Sequence, residues 1–260
     1  MLLLKLALVA LSVLLSTLAA RRFGHRVGGA LAGMPMIAAP IMAILLVDQD
    51  AAHVRAIALA TLACLPATIL HIVTFAKAAH RFTWPVCLLL ALGLFFAAGV
   101  ALTAVSLPPA VVCLLAIAAP MAGLWYAAHH AGPPARVGVP RVEFVLRIAA
   151  AVGMAAAIIL GADAFPAAVS GLLLAVPITG TVLPCFTLPR YGAAATASLM
   201  TGFLQGLHGF AAFFIALYWG LGAMPPAVAF CVALGAALGV AIAMQAGVRF
   251  ARRQPAEPAS

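Results

Sequence analysis

Long apolar stretches without charged residues restrict how this chain can fold more than any other feature. From Val27 to Val47 there are 21 consecutive residues without a charged side chain, and about 20 apolar residues are enough to cross the hydrocarbon core of a bilayer as a helix. Of all residues, 67% are hydrophobic and 7% are charged, whereas about 25% are charged in a soluble domain. The sequence therefore predicts an all-α polytopic membrane protein with almost no soluble part.

Hydropathy predicts nine transmembrane helices. Their approximate limits are residues 2–20, 27–47, 54–76, 84–106, 108–128, 143–161, 165–188, 192–219 and 226–248. The first could also be a signal peptide, because an early Lys and an apolar stretch precede the sequence STLAA. An internal repeat, in which this first helix has a counterpart, favours a transmembrane helix over a cleaved signal peptide.

The repeat has a spacing of 142 residues and no gap. Shifted by that distance, Gly29 aligns with Gly171, Pro35 with Pro177 and Lys5 with Arg147. Each copy holds four predicted helices, and the first helix aligns with the sixth. We therefore divide the chain into a first repeat (1–106), a linker helix with a loop (107–142), a second repeat (143–250) and a tail (251–260).

The basic residues predict that the two repeats have opposite orientations in the membrane. If the loop at 21–26 is cytoplasmic, 12 of the 14 Lys and Arg residues lie on the cytoplasmic side, and only Lys5 and Arg55 lie outside. This is a strong positive-inside signal. It places the N-terminus outside and the C-terminus inside, and it accounts for the net charge of +9 without a nucleic-acid partner.

Inverted repeats are typical of transporters that open a central site to one side of the membrane and then to the other. The sequence therefore favours a small-molecule transporter, with a non-transporting membrane scaffold as the alternative. An intramembrane enzyme has less support, since the five acidic residues lie at helix ends or in loops and no HExxH or GxSxG motif occurs. We expect no enzyme activity, no cofactor and no metal, and we interpret the five cysteines as packing residues.

Candidate substrate-binding residues come first from the two proline-interrupted helices. Interrupted helices at matching positions of two halves are a pointer to a transporter's binding site, because they free backbone groups to line a cavity. The alternative is a kinked helix that only packs. The candidates are Met34, Pro35, Pro177, Thr179 and Thr181, and Pro40 is predicted to be a local kink.

Further candidates lie on the third and eighth predicted helices. Thr68 and His71 share a helix face with Thr61 and Cys64, and Gln205 and His208 lie in GFLQGLHG. A polar cavity shared by the two helices would give His71, Gln205 and His208 their partners. Packing is the alternative for the small polar residues and for the Gly202–Gly206 pair, and snorkelling towards the aqueous phase is expected for Lys5 and Arg147.

The first repeat resembles the GlpM-like family of small bacterial inner-membrane proteins. The likeness rests on LLLKLALVALSVLL (2–15), VGGALAGMPMIAAPIMAILLV (27–47) and VRAIALATLACLPATIL (54–70). It implies the bacterial inner membrane and a link to exopolysaccharide production at the cell envelope. The inverted layout is also similar to that of the drug/metabolite transporters. The expected partners are the lipid bilayer and an unknown small molecule, with homo-oligomerisation left open.

Overall fold

The protein is all-helical, as the sequence predicts. The computed structural model describes residues 2–105, 107–128, 141–162 and 176–251, and no β-strand occurs in those ranges. The helices described are α1 (Leu2–Phe23), α2 (His25–Gly33), α3 (Ala38–Asp48), α4 (Ala51–Ala78), α5 (Trp84–Thr103), α6 (Pro109–Ala128), α7 (Arg141–Ala162), α8 (Ile178–Gly220) and α9 (Pro226–Ala251).

Seven stretches of the described residues are long and apolar enough to cross a membrane. One of them, His25–Asp48, combines α2 and α3, and the others lie in α1, α4, α5, α6, α8 and α9. The outward faces carry large apolar side chains, such as Leu89 on α5, Trp125 on α6 and Ile242 on α9, each about 70% exposed. A face of this kind suits contact with lipid. A multi-pass membrane protein is thus confirmed, while the number of nine crossings stays a prediction.

Pro35 explains why α2 and α3 are separate helices. Proline has no backbone N–H, so Pro35 cannot donate the helical hydrogen bond to the carbonyl of Leu31. That carbonyl accepts from the N–H of Met34 instead. Met36 then donates to the carbonyl of Met34, two residues back. The predicted kink at Pro40 is not present, because this residue lies in the first turn of α3. Backbone N–H groups in the first turn have no hydrogen-bond partner within the helix, so the N–H that proline lacks is not missed there.

The helix α8 consists of two segments that meet at Gly192. This glycine has a φ of 78° and a ψ of −179°, a conformation that residues with a side chain rarely adopt. A straight helix of 43 residues would be about 65 Å long, roughly twice the hydrocarbon thickness. The 193–220 segment matches the predicted helix at 192–219. Of the predicted helix at 165–188, residues 165–175 lie outside the described part of the chain.

Helix α8 is the centre of the bundle, because it contacts α1, α2, α4, α5, α6, α7 and α9. Glycines bring α2 against it, backbone to backbone. A Cβ atom on Gly29 or Gly33 would overlap the carbonyls of Leu199 or Phe203, and one on Gly206 would overlap that of Ala30. The packing alternative predicted for Gly202 and Gly206 is therefore the observed one.

Candidate functional site

The interruption between α2 and α3 lies directly against the beginning of α8. The hydroxyl of Thr179, in the first turn of α8, donates to the carbonyl of Ala32 at 3.3 Å. In a continuous helix Ala32 would accept from Met36, but Met36 bonds to Met34 instead. The hydroxyl therefore satisfies a carbonyl that the helix break leaves free. The two proline-bearing elements thus meet inside the bundle.

His71 joins the third predicted helix to the same place. Its Nε2 lies 3.3 Å from the hydroxyl of Thr181, which also lies 2.9 Å from the carbonyl of Pro177. Because a hydroxyl has one proton, Thr181 donates to Pro177 and accepts from His71. Within the described structure, Nδ1 of His71 has no hydrogen-bond partner, although the side chain is fully buried.

The two hydroxyls on the predicted polar face of α4 bond to their own helix. Thr68 donates to the carbonyl of Cys64 at 3.4 Å, and Thr61 donates to that of Ile57 at 2.9 Å. Such bonds to the preceding turn satisfy a hydroxyl without involving another helix. Of the predicted polar face, His71 is therefore the group that reaches a second helix.

The site is closely packed. A Cβ atom on Gly180 would lie 2.8 Å from Cδ1 of Ile72 and 3.1 Å from Cζ of Phe203. The ring of Phe95 stands edge-on to His71, with 6.3 Å between the ring centroids. Pro35 is buried, while Met34 and Pro177 are half-buried. Helices α2, α4, α5 and α8 thus enclose an imidazole, two hydroxyls and a carbonyl.

The structure corrects the prediction for Gln205 and His208. Gln205 accepts a hydrogen bond from Nε of Arg26 on α2, at 3.1 Å. His208 donates from Nδ1 to the carbonyl of Leu204, one turn back, at 2.8 Å. The predicted cavity that these residues would share with His71 is not formed, because α2 occupies the glycine-lined face of α8. Thr181 serves as the partner of His71 instead.

A second polar cluster was not predicted from the sequence. Arg147 is 1% exposed, and both its Nε and its Nη2 donate to Oε1 of Glu143, one turn earlier on α7. Nε of Arg190 on α8 lies 3.1 Å from Oε2 of the same glutamate. Arg147 therefore does not snorkel, because an acidic partner is available within the protein. The side chain of Lys5 lies outside the description.

His25, on α2, belongs to this second cluster. It is 3% exposed, and its ring packs edge-on against that of Tyr191, next to Arg190, with 4.9 Å between the centroids. The spacing of Glu143 and Arg147, four residues apart, is the usual one for an ion pair on a helix and was a signal in the sequence. The participation of His25 and Arg190 depends on helix packing, which the sequence does not display.

Neither cluster has the composition of a metal centre, since no group of three His, Cys, Asp or Glu side chains suited to hold an ion occurs in the part of the chain described. No protein-family model matches the chain, and no curated protein or solved structure is significantly similar to it.

Proposed function

We propose that this protein transports a small molecule across the membrane by alternating access of two inverted repeats. The observation that carries the proposal is the contact between Thr179 and Ala32, which joins the interrupted helix of one repeat to the start of α8, the matching position in the other. Binding sites of secondary transporters lie where discontinuous helices of two repeats meet near the bilayer centre.

The helix boundaries support the repeat. Helix α4 covers residues 51–78, and the 193–220 segment of α8 lies at the same limits shifted by 142. Helices α5 and α9 begin at Trp84 and Pro226, again 142 residues apart. The interruption ahead of α3 and the start of α8 just after Pro177 occupy matching positions as well. Equal boundaries at one spacing are what a duplicated four-helix unit would produce.

The packing supports an inverted arrangement of these units. Helix α1 packs against α7, its counterpart in the second repeat, and α4 packs against α8, which contains its own counterpart. Elements close to a two-fold axis contact their own mates. An axis in the membrane plane would also explain the predicted positive-inside pattern, with the N-terminus outside and the C-terminus inside. The same proposal includes a relation of this protein to the GlpM-like family and a location in the bacterial inner membrane.

The polar groups between the repeats suit a small polar substrate. Nδ1 of His71 lacks a partner within the described structure. The hydroxyl of Thr179 bonds to a carbonyl at the end of α2, and that of Thr181 to the carbonyl just before α8. A substrate that separates the two repeats can take over these bonds. The close packing around Gly180 corresponds, in this proposal, to a closed state between the inward-open and outward-open ones.

Cysteine accessibility tests the proposal without knowledge of the substrate. The five native cysteines are replaced, and single cysteines are introduced by Thr68→Cys and Thr179→Cys. Membrane-impermeant thiol reagents are then applied to right-side-out and inside-out vesicles. For a transporter we expect both positions to react from both sides, because the site opens alternately to each.

Leu62→Cys is the matched control, since Leu62 is fully buried on α4 and faces the packed core. Its cysteine should not react from either side. If the cysteines at positions 68 and 179 are equally unreactive, the interface is permanently dry. The protein is then a scaffold and not a transporter.

A further inference from the structure

The second polar cluster contains more positive charge than its described residues balance. Among the described residues, Glu143 is the carboxylate in contact with both Arg147 and Arg190. Arg147 is almost completely buried, whereas about half of the Arg190 side chain is exposed. Charges inside a protein are stable only when they are paired and hydrogen-bonded. One carboxylate between two guanidinium groups leaves a net charge of +1.

Two further observations point to a ligand site. Both ring nitrogens of His25 lack a hydrogen-bond partner among the described residues, although the side chain is 3% exposed and close enough to Arg147 for a charge interaction. A neutral imidazole always carries one N–H, and burying that group without an acceptor is unfavourable. The cluster thus has an unused donor beside an excess positive charge.

Helix α1 adds unused hydroxyls next to this place. A Cβ atom on Gly28, one turn after His25, would lie 2.6 Å from the backbone oxygen of Ser16, so Ser16 lies against the beginning of α2. The hydroxyls of Ser16 and Thr17 are buried and have no partner in the described structure. Since α1 packs against both α2 and α7, these hydroxyls lie on a helix that adjoins two of the three helices of the cluster.

We propose that His25, Arg147 and Arg190 form a binding site for a small oxyanion, a phosphate or a carboxylate group. The anion would accept from the N–H of His25 and from Arg190, and it would balance the excess charge. The exposed part of Arg190 gives access from the end of the bundle at which Tyr191 lies. The same group could belong to a free solute or to the headgroup of an anionic lipid. This site does not depend on whether the protein transports.

Binding of radiolabelled inorganic phosphate to the full chain, purified in detergent and freed of lipid, tests the proposal. We expect saturable binding to the wild type. His25→Phe keeps a ring against Tyr191 but removes the N–H, and Arg190→Gln removes the exposed charge. Each substitution should weaken binding by about tenfold, the effect of one charge-assisted hydrogen bond. Lys77→Gln is the control, since Lys77 lies over the ring of Tyr126 and its loss changes the net charge equally.

Glu143→Gln separates a ligand site from a purely structural ion pair. It removes the anion that competes for the two arginines, so phosphate should bind more tightly than to the wild type. If this variant does not fold, the phosphate affinities of His25→Phe and Arg190→Gln are compared with that of Lys77→Gln, and weaker binding to the first two supports the site. Absent binding, or equal binding to all variants, overturns the proposal. Competition by phosphatidylglycerol in mixed micelles would identify a lipid headgroup as the source, and lack of competition a free solute.

Discussion

Among single residues, His71 is a buried polar side chain that needs a partner on another helix. The sequence predicts that a histidine inside an apolar helix needs hydrogen bonds, and it singles out His71. It directs the residue towards Gln205 and His208, whereas the structure pairs it with Thr181. The difference arises because the position of α8 depends on its start at Pro177 and on glycine packing between distant segments. Neither of these is encoded in the periodicity of one helix.

Replacement of Thr181 by valine should destabilise the protein. Thr181→Val keeps the shape of the side chain but leaves Nε2 of the buried His71 without its acceptor. An unsatisfied buried donor costs about 1–3 kcal/mol. The free energy of unfolding of the detergent-purified protein, measured by denaturant titration, should fall by that amount.

Thr61→Val is the control for this substitution. The hydroxyl of Thr61 is half-buried and bonds to its own helix, so its loss should change the stability by less than about 0.5 kcal/mol. Equal effects of the two substitutions would show that His71 does not depend on Thr181.

Among the helices, the contact between α2 and α8 determines where the site lies. The sequence predicts close approach from Gly202 and Gly206 but does not name the partner. The structure shows that α2 is this partner, and that its Gly29 and Gly33 lie against the backbone of the same part of α8. The partner could not be predicted because spacing within one helix carries no information about which neighbour will pack on it.

An added methyl group should therefore separate α2 from α8. In Gly206→Ala the new Cβ would overlap the carbonyl of Ala30, and overpacking of this kind costs about 1–3 kcal/mol. In Gly235→Ala, on α9, no atom lies within 4 Å of the new Cβ, so stability should rise by about 0.5–1 kcal/mol through helix propensity. Thermal unfolding in detergent measures both, and a neutral Gly206→Ala would contradict the packing described.

For the whole molecule, membrane topology is the property that the inverted repeat predicts most sharply. Reporter fusions in the turn at residues 79–83 and in the one at 221–225 should lie on opposite sides of the membrane. These turns follow α4 and α8, which are counterparts in the two repeats. We expect the first to be cytoplasmic and the second external. A result with both turns on one side would rule out the inversion.

The sequence predicts the fold class and the helix boundaries well, but it does not predict which charged residues of different helices pair. The 142-residue spacing predicts where the helices of the second repeat begin, because proline and glycine act locally on the backbone. Arg147 enters the sequence argument as the repeat counterpart of Lys5, and Glu143 as an acid at a helix end. The contact of Arg190 with this pair requires α7 and α8 to lie side by side, and hydropathy contains no information on that.

The pairing of His71 with Thr181 has a consequence for the ancestry of the two repeats. At the repeat spacing, Phe213 is the counterpart of His71 and Ala39 that of Thr181, and both are buried apolar side chains. The imidazole therefore comes from one half and the hydroxyl from the other. Two copies of either half would supply only one member of the pair. In the duplication proposed above, the halves are complementary, so if a gene encoded them separately, both products would be required to rebuild the site.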